Sequence, residues 1–279
     1  MIEVIEKTLK NIVQAKESNT LTEAMSYALL NGGKRLRPLL LLKVLESYQV
    51  PWEDYVDIAC SIEMIHTYSL IHDDLPAMDN DDLRRGVPTL HVAFDEATAI
   101  LTGDALLTDA FNLITNNESL SDAQKVKLVR ILSGCSGSSG MVYGQLLDLE
   151  SENTKIPLEV LKRIHVHKTA KLIQAPLMMA SVIASLKDVS IWEEIGYFLG
   201  LAFQIQDDIL EVTSDEANMG KSLSDLRNDK STYVKLIGLE ESKKMVDLYF
   251  KEIENLLSKL SIDKEQIQNY FDQVRQRNN

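Results

Sequence analysis

Ile71-His72-Asp73-Asp74-Leu75-Pro76-Ala77-Met78-Asp79-Asn80-Asp81-Asp82-Leu83-Arg84-Arg85-Gly86 packs five carboxylates into ten residues and follows them with two arginines. Neighbouring ionised carboxylates repel, and that cost calls for a compensating cation. A hard divalent ion with oxygen ligands fits, since Mg²⁺ characteristically joins one or two carboxylates to a substrate phosphate. The arginines add planar forks suited to phosphate oxygens. Far downstream, Gln204-Ile205-Gln206-Asp207-Asp208-Ile209-Leu210-Glu211 repeats the theme. Spacings of three and four put Asp207, Asp208 and Glu211 on one helical face. The run Ile195 to Leu210 is mostly apolar, so that face is expected to point inward. Two acidic nests in one chain imply a diphosphate held between them.

Outward from these stretches the periodicity is helical nearly throughout. Ile2, Ile5, Leu9, Ile12 and Val13 mark an amphipathic first helix, and a second spans Leu21 to Leu30 before Asn31-Gly32-Gly33. Arg37-Pro38 opens a third, Leu39 to Tyr48, apolar almost all round and therefore expected to be buried. A long helix from Tyr55 ends at Asp74. Further helices are predicted over Ala97–Thr115, Asp122–Gly134, Met141–Leu149, Leu158–Ala170, Ala175–Leu186 and Ile191–Glu211. After a polar loop, Thr213 to Asn228, come Thr232–Gly238, Glu241–Leu260 and Lys264–Val274. No β-hairpin signal, low-complexity segment or repeat stands out. The expectation is an all-α single domain over residues 1–279.

Composition excludes several classes. With 29 basic and 42 acidic residues the net charge is −13. That argues against nucleic acid or an anionic membrane as partner. An anionic substrate then needs a local basic pocket. Met1 to Gln14 lacks the apolar core of a secretory leader, and Leu172 to Leu186 is too short and polar to span a bilayer, so a cytoplasmic protein is expected. Cys60 and Cys135, with no CxxC pair, read as buried free thiols.

Cations recur near helix ends: Lys34, Arg35 and Arg37 ahead of the third helix, Arg84 and Arg85, Lys168 beside Thr169, Lys221, and Lys230 in Lys230-Ser231-Thr232-Tyr233. Helix N-termini favour anions. His66 lies seven residues before Asp73 on about the same face, whereas His72, His91, His165 and His167 read as structural. No P-loop, dinucleotide fingerprint or Ser-His-Asp context is present.

These ordered motifs, together with Gly103-Asp104, Gly144-Gln145, Leu147-Asp148, Phe203 and Gly220-Lys221, resemble the trans-isoprenyl diphosphate synthases (polyprenyl synthetases), nearest to the bacterial farnesyl type. The resemblance covers essentially the whole chain. It implies the isoprenoid synthase fold, ten or more helices around a central cavity, usually as a homodimer. It also implies head-to-tail condensation of isopentenyl diphosphate with dimethylallyl or geranyl diphosphate. By resemblance Asp73, Asp79 and Asp207 are Mg²⁺ ligands, three ions per site, with Asp74, Asp208 and Glu211 in support. Arg84, Lys168, Lys221 and Lys230 take the allylic diphosphate, and Lys34, Arg37, His66 and Arg85 take isopentenyl diphosphate. Thr169 and Gln204 match positions facing the allylic cation.

Product length is expected to depend on Tyr68, five residues before Asp73 and about 7.5 Å below it at ~1.5 Å per residue, with Ser69 leaving space beside it. That aromatic, with the inserted Pro76-Ala77, points to a C15 product rather than C20. Glu211 departs from the usual Asp, Asn80 from a frequent Asp, and the C-terminus, Arg275-Gln276-Arg277-Asn278-Asn279, from the usual ending. A terpene cyclase shares the fold but needs one diphosphate site, which leaves Lys34, Arg37 and Arg85 in surplus. A non-catalytic partner subunit need not keep Asp73, Asp79 and Asp207.

Overall fold

The computed structural model describes residues 1–152, 154–184, 187–217 (214–217 as backbone alone) and 231–277. The described chain is helical apart from one two-residue ribbon, and it groups into two compact units, Met1–Arg130 and Ile131–Asn279.

In the first unit, helix α1 (Ile2–Gln14) buries Ile5, Leu9 and Val13, one side of the stripe seen in the sequence. Helix α2 (Thr20–Leu30) starts on a reciprocal cap: the Thr22 amide donates to Asn19 Oδ1 at 3.1 Å and the Asn19 amide to Thr22 Oγ1 at 3.0 Å. Helix α3 (Leu36–Ser47) carries Pro38 in its first turn, where no intrahelical donor is lost, and buries Leu39 to Leu42, Val44 and Leu45. Helix α4 (Val56–Asp73) is buried on almost every side and delivers the first acidic stretch at its C-terminus. After the short α5 (Leu90–Ala93) comes α6 (Glu96–Asn116), capped by Asp95, which packs closely on α4.

Helix α7 (Asp122–Ser136) carries the chain onward. The second unit contains α8 (Met141–Glu150), α9 (Leu158–His165), α10 (Lys171–Ala184), α11 (Val189–Ala217), α12 (Tyr233–Ile237), α13 (Leu239–Ser258) and α14 (Glu265–Arg275). Helix α11 forms its spine, with Trp192, Ile195, Leu199, Leu201, Ala202 and Ile205 buried. Among the described residues no helix is long and apolar enough to cross a membrane. Cys60 and Cys135 are buried and unbridged, as expected.

Three expectations need correction. The stretch behind the first acidic run makes a small antiparallel ribbon, β1 (Leu83–Arg84) with β2 (Val87–Pro88), in register Leu83 with Pro88 and Arg84 with Val87. Arg85 and Gly86, at φ +55° and +79°, give the two left-handed central residues of a tight hairpin turn. The polar loop expected from Thr213 begins later, because α11 continues to Ala217; Thr213 Oγ1 donates to the Ile209 carbonyl at 2.9 Å, so its polarity is absorbed within the helix. The remainder of that loop, 218–228, lies outside the described residues. Finally, α9 and α10 do not part after Ala170. A π-helical turn, Val166–Ala170, joins them, and Pro176 lies inside α10.

Candidate active site

In the first unit the acidic stretch folds back on itself. The Met78 amide donates to the Leu75 carbonyl at 2.8 Å and the Asp79 amide to the Asp73 carbonyl at 2.9 Å, so the inserted Pro76-Ala77 loops out and Asp79 returns beside the end of α4. Asn80 follows at φ +52°, a conformation that asparagine tolerates well. Asp74 points elsewhere: it is 3% exposed and accepts Arg84 Nε at 2.7 and 2.9 Å. Burial pushes its carboxyl above the usual range, against the lowering pull of Arg84. Adjacent aspartates thus have different environments, one behind the helix end and one committed to an arginine.

The basic residues ahead of α3 also divide. Arg35, at φ +50°, is buried against Glu63 at 2.8 Å and the Leu29 carbonyl at 2.6 Å, which makes it structural. Lys34 is exposed and Arg37 half-buried. Arg85 Nη1 donates to the Gly32 carbonyl and lies so near Gly33 that a side chain there would strike it. His66 is held well below its ordinary pKa by burial first, then by Arg37, Arg85, Arg84 and Arg35. The ring is therefore neutral in a cationic surround, ready to hydrogen-bond an anion without adding charge. Tyr68 is buried and meets His72 edge-on at 5.8 Å between centroids, while Ser69 Oγ donates to the His66 carbonyl at 2.8 Å. Gly103 explains its motif, since a Cβ there would come within 2.1 Å of His72 Nε2.

In the second unit the π-helical turn presents Lys168 and Thr169. Lys168 Nζ lies 2.6 Å from Asp148, and Thr169 Oγ1 donates to Gln204 Oε1 at 2.9 Å. A Cβ on Gly144 would come within 2.1 Å of the Lys168 amide nitrogen, so only glycine lets α8 approach that turn. Along α11, Asp207 is 2.7 Å from Arg277, Glu211 is exposed, and Asp208 is buried. The expectation of one inward acidic face therefore holds for Asp208 and fails for Glu211. Asp208 accepts the Tyr233 amide at 2.8 Å, and burial pushes it up to about 7. Tyr233 stacks on His165 at 5.4 Å, so the Lys230-Ser231-Thr232-Tyr233 motif ends in a residue that braces α11. Lys221 and Lys230 lie outside the described residues.

Mg²⁺ needs only one or two protein carboxylates when phosphate and water complete its octahedron. Asp73, Asp79 and Asp207 have the chemistry for that partial share. No group of three or more His, Cys, Asp or Glu able to hold a metal occurs among the described residues. Sequence reasoning passed over Asp148, the Lys168 partner, and Tyr233, although both stood inside quoted motifs.

The polyprenyl synthetase family model matches residues 18–274. Farnesyl diphosphate synthase of Micrococcus luteus is 51% identical, with 88% of this chain and 85% of the relative covered. That of Bacillus subtilis is 46% identical over the same shares. Among solved structures, a geranyltransferase of Helicobacter pylori, complexed with magnesium and isoprenyl diphosphate, superposes with a TM-score of 0.83 at 42% identity, covering 98% of this chain and 93% of that one. With its all-helical fold and its paired acidic motifs, the chain belongs to the polyprenyl synthetase family.

Proposed function

We propose that the chain is a Mg²⁺-dependent farnesyl diphosphate synthase, condensing isopentenyl diphosphate head-to-tail with dimethylallyl or geranyl diphosphate to a C15 product. It acts as one synthase domain over 1–279, cytoplasmic and homodimeric. The observation that carries this reading is the return of Asp79 to Asp73 at the end of α4, a helix that also carries the arginine-surrounded neutral His66. The C20 reading, a geranylgeranyl diphosphate synthase, has less support, because farnesyl relatives reach 51% and 46% identity where geranylgeranyl ones reach 40% and 43%.

The allylic C–O bond breaks with its electron pair leaving on diphosphate. The double bond of isopentenyl diphosphate then forms the new C–C bond, and a proton departs to the released diphosphate. Bound Mg²⁺, three ions in the family reading, supplies Lewis-acid stabilisation of the leaving charge. Asp73, Asp79 and Asp207 would hold it, with Glu211 in support. Asp74 orients Arg84, leaving Nη1 among the donors available to the allylic diphosphate, and Asp208 braces α11 through Tyr233. Lys168, Lys221 and Lys230 add fixed cations that stabilise developing negative charge more than the ground state. Arg37, Arg85, His66 and the exposed Lys34 hold isopentenyl diphosphate. Thr169 Oγ1 fixes the Gln204 amide by donating to Gln204 Oε1, and each oxygen keeps lone-pair density to offer the allylic cation.

The test is condensation of labelled isopentenyl diphosphate with dimethylallyl or geranyl diphosphate, with and without EDTA. A metal-dependent C15 diphosphate is expected. Asp73→Ala and Asp207→Ala should each lose most turnover, about 10²-fold or more, with circular dichroism unchanged. Wild-type turnover in either variant would remove that residue from the metal set.

A further inference from the structure

Beyond α14 the chain turns back to α11 and places Arg277 on an aspartate of the second acidic stretch. Arg277 Nη2 lies 2.7 Å from Asp207 Oδ1 and also donates to the Phe203 carbonyl. Its guanidinium carbon stands 3.5 Å from the centre of the Phe203 ring. The side chain is only 10% exposed, whereas Asp207 is 44% exposed. The backbone delivering it is anchored as well. Gln206 Nε2 donates to the Arg275 carbonyl at 2.7 Å, and the Arg275 side chain pairs with Asp247 of α13 at 2.6 Å while lying over the Phe250 ring. Consecutive residues of α11, Gln206 and Asp207, thus grip the main chain and the side chain of one C-terminal turn.

This is more than a surface ion pair. The guanidinium is fixed by a carboxylate, a carbonyl and an aromatic face together, the geometry in which arginine holds a site that lysine cannot. Burial disfavours its charge, and Asp207 is the group that favours it. A divalent ion ligated by either Asp207 oxygen would stand beside the Arg277 guanidinium, and the two positive charges repel.

We propose that Arg277 is a tethered cation competing with the divalent metal for Asp207, so that metal loading there expels the Arg277 side chain and loosens the chain beyond the Arg275 anchor. The proposal rests on Asp207 being a metal ligand. It gives Arg277 a positioning role: it sets how much metal Asp207 takes before substrate adds its phosphate oxygens.

The experiment titrates Mn²⁺ into the full-length protein without any diphosphate, reading free Mn²⁺ by electron paramagnetic resonance. Wild type, Arg277→Gln, Arg277→Lys, Asp207→Asn and the Arg277→Gln/Asp207→Asn double variant are compared, with circular dichroism as the folding control. The Asp207 site is the binding lost in Asp207→Asn. Arg277→Gln should tighten that site about tenfold, equal to 1.4 kcal/mol. Arg277→Lys, which keeps the charge and loses the fork, should fall between wild type and Arg277→Gln, and the double variant should match Asp207→Asn. Carboxypeptidase should trim wild type faster once Mn²⁺ is added. Unchanged affinity in Arg277→Gln, with binding lost in Asp207→Asn, overturns the competition alone. Wild-type binding in Asp207→Asn overturns the ligand reading and the proposal with it.

Discussion

Asp74 and Arg84 grip each other across ten residues, with Arg84 Nε 2.7 Å from one carboxylate oxygen and 2.9 Å from the other. The aspartate is 3% exposed, yet the arginine side chain keeps 32% of its surface. Burial leaves the Asp74 carboxyl raised even with its partner in place. A carboxyl raised on folding contributes stability that is full below its unfolded pKa, about 3.9, and is lost as pH rises through the folded value. Arg84→Ala removes the lowering influence and moves that loss to greater size. The variant should lose about 2–4 kcal/mol at pH 8 and less at pH 5, because lower pH favours the neutral form of a carboxyl that burial already raises. Urea midpoints at the two pH values measure the difference.

Asp208 offers a second pH test. Held at about 7 by burial, it contributes stability that declines as pH rises through neutrality. Asp208→Asn keeps an oxygen for the Tyr233 amide and removes the titration, so its stability should stay flat between pH 5 and pH 7, where wild type falls toward the folded value of about 7. Asp208→Ala also loses the acceptor and should be weaker at every pH by about 1–3 kcal/mol. Guanidinium midpoints across that range distinguish the three proteins.

Gly103 and Gly144 should fail differently. The atom opposing Gly103 is the tip of a side chain, His72 Nε2, whereas Gly144 faces the backbone of Lys168. Gly103→Ala should cost about 1–3 kcal/mol, and His72→Ala in the same chain should recover most of it. No single truncation relieves Gly144→Ala, because main chain cannot be trimmed. Thermal denaturation of the three variants reads the contrast, and turnover of Gly144→Ala should fall through displacement of Lys168.

Tyr68→Ala should lengthen the product beyond C15, since the ring is buried one and a half turns before Asp73 and is propped edge-on by His72. Chromatography of dephosphorylated products gives the distribution. An unchanged C15 profile would locate the cavity floor on another helix.

The amphipathic helices were legible because they bury a stripe of helical period, as in α1 with Ile5, Leu9 and Val13. What escaped is decided by partners distant in sequence or by backbone geometry. Nothing in an Asp-Asp pair announces that Asp74 belongs to Arg84 while Asp73 receives the Asp79 amide through its carbonyl. Likewise Asp208 is set apart from Asp207 by an amide twenty-five residues away. Arg35 and Arg37 look alike in the sequence, and the partners that bury Arg35, Glu63 and the Leu29 carbonyl, are distant from it in the chain or main-chain atoms. The Arg85-Gly86 turn escaped because its first left-handed residue is an arginine rather than Asn or Asp. The π-helical turn escaped because one extra residue is lost in the scatter of a 3.6-residue period.

That wide turn gives the chain a counting constraint. One surplus residue between Val166 and Ala170 rotates everything downstream by about 100° relative to an uninterrupted helix. Deleting a single residue there would leave composition, charge and every downstream motif intact on paper. It would nevertheless swing the whole of α10, with its packed apolar side, a quarter-turn away from α11. For this segment inheritance must preserve a number as strictly as any side chain, and length variation should be rarer at the turn than in the loops on either side.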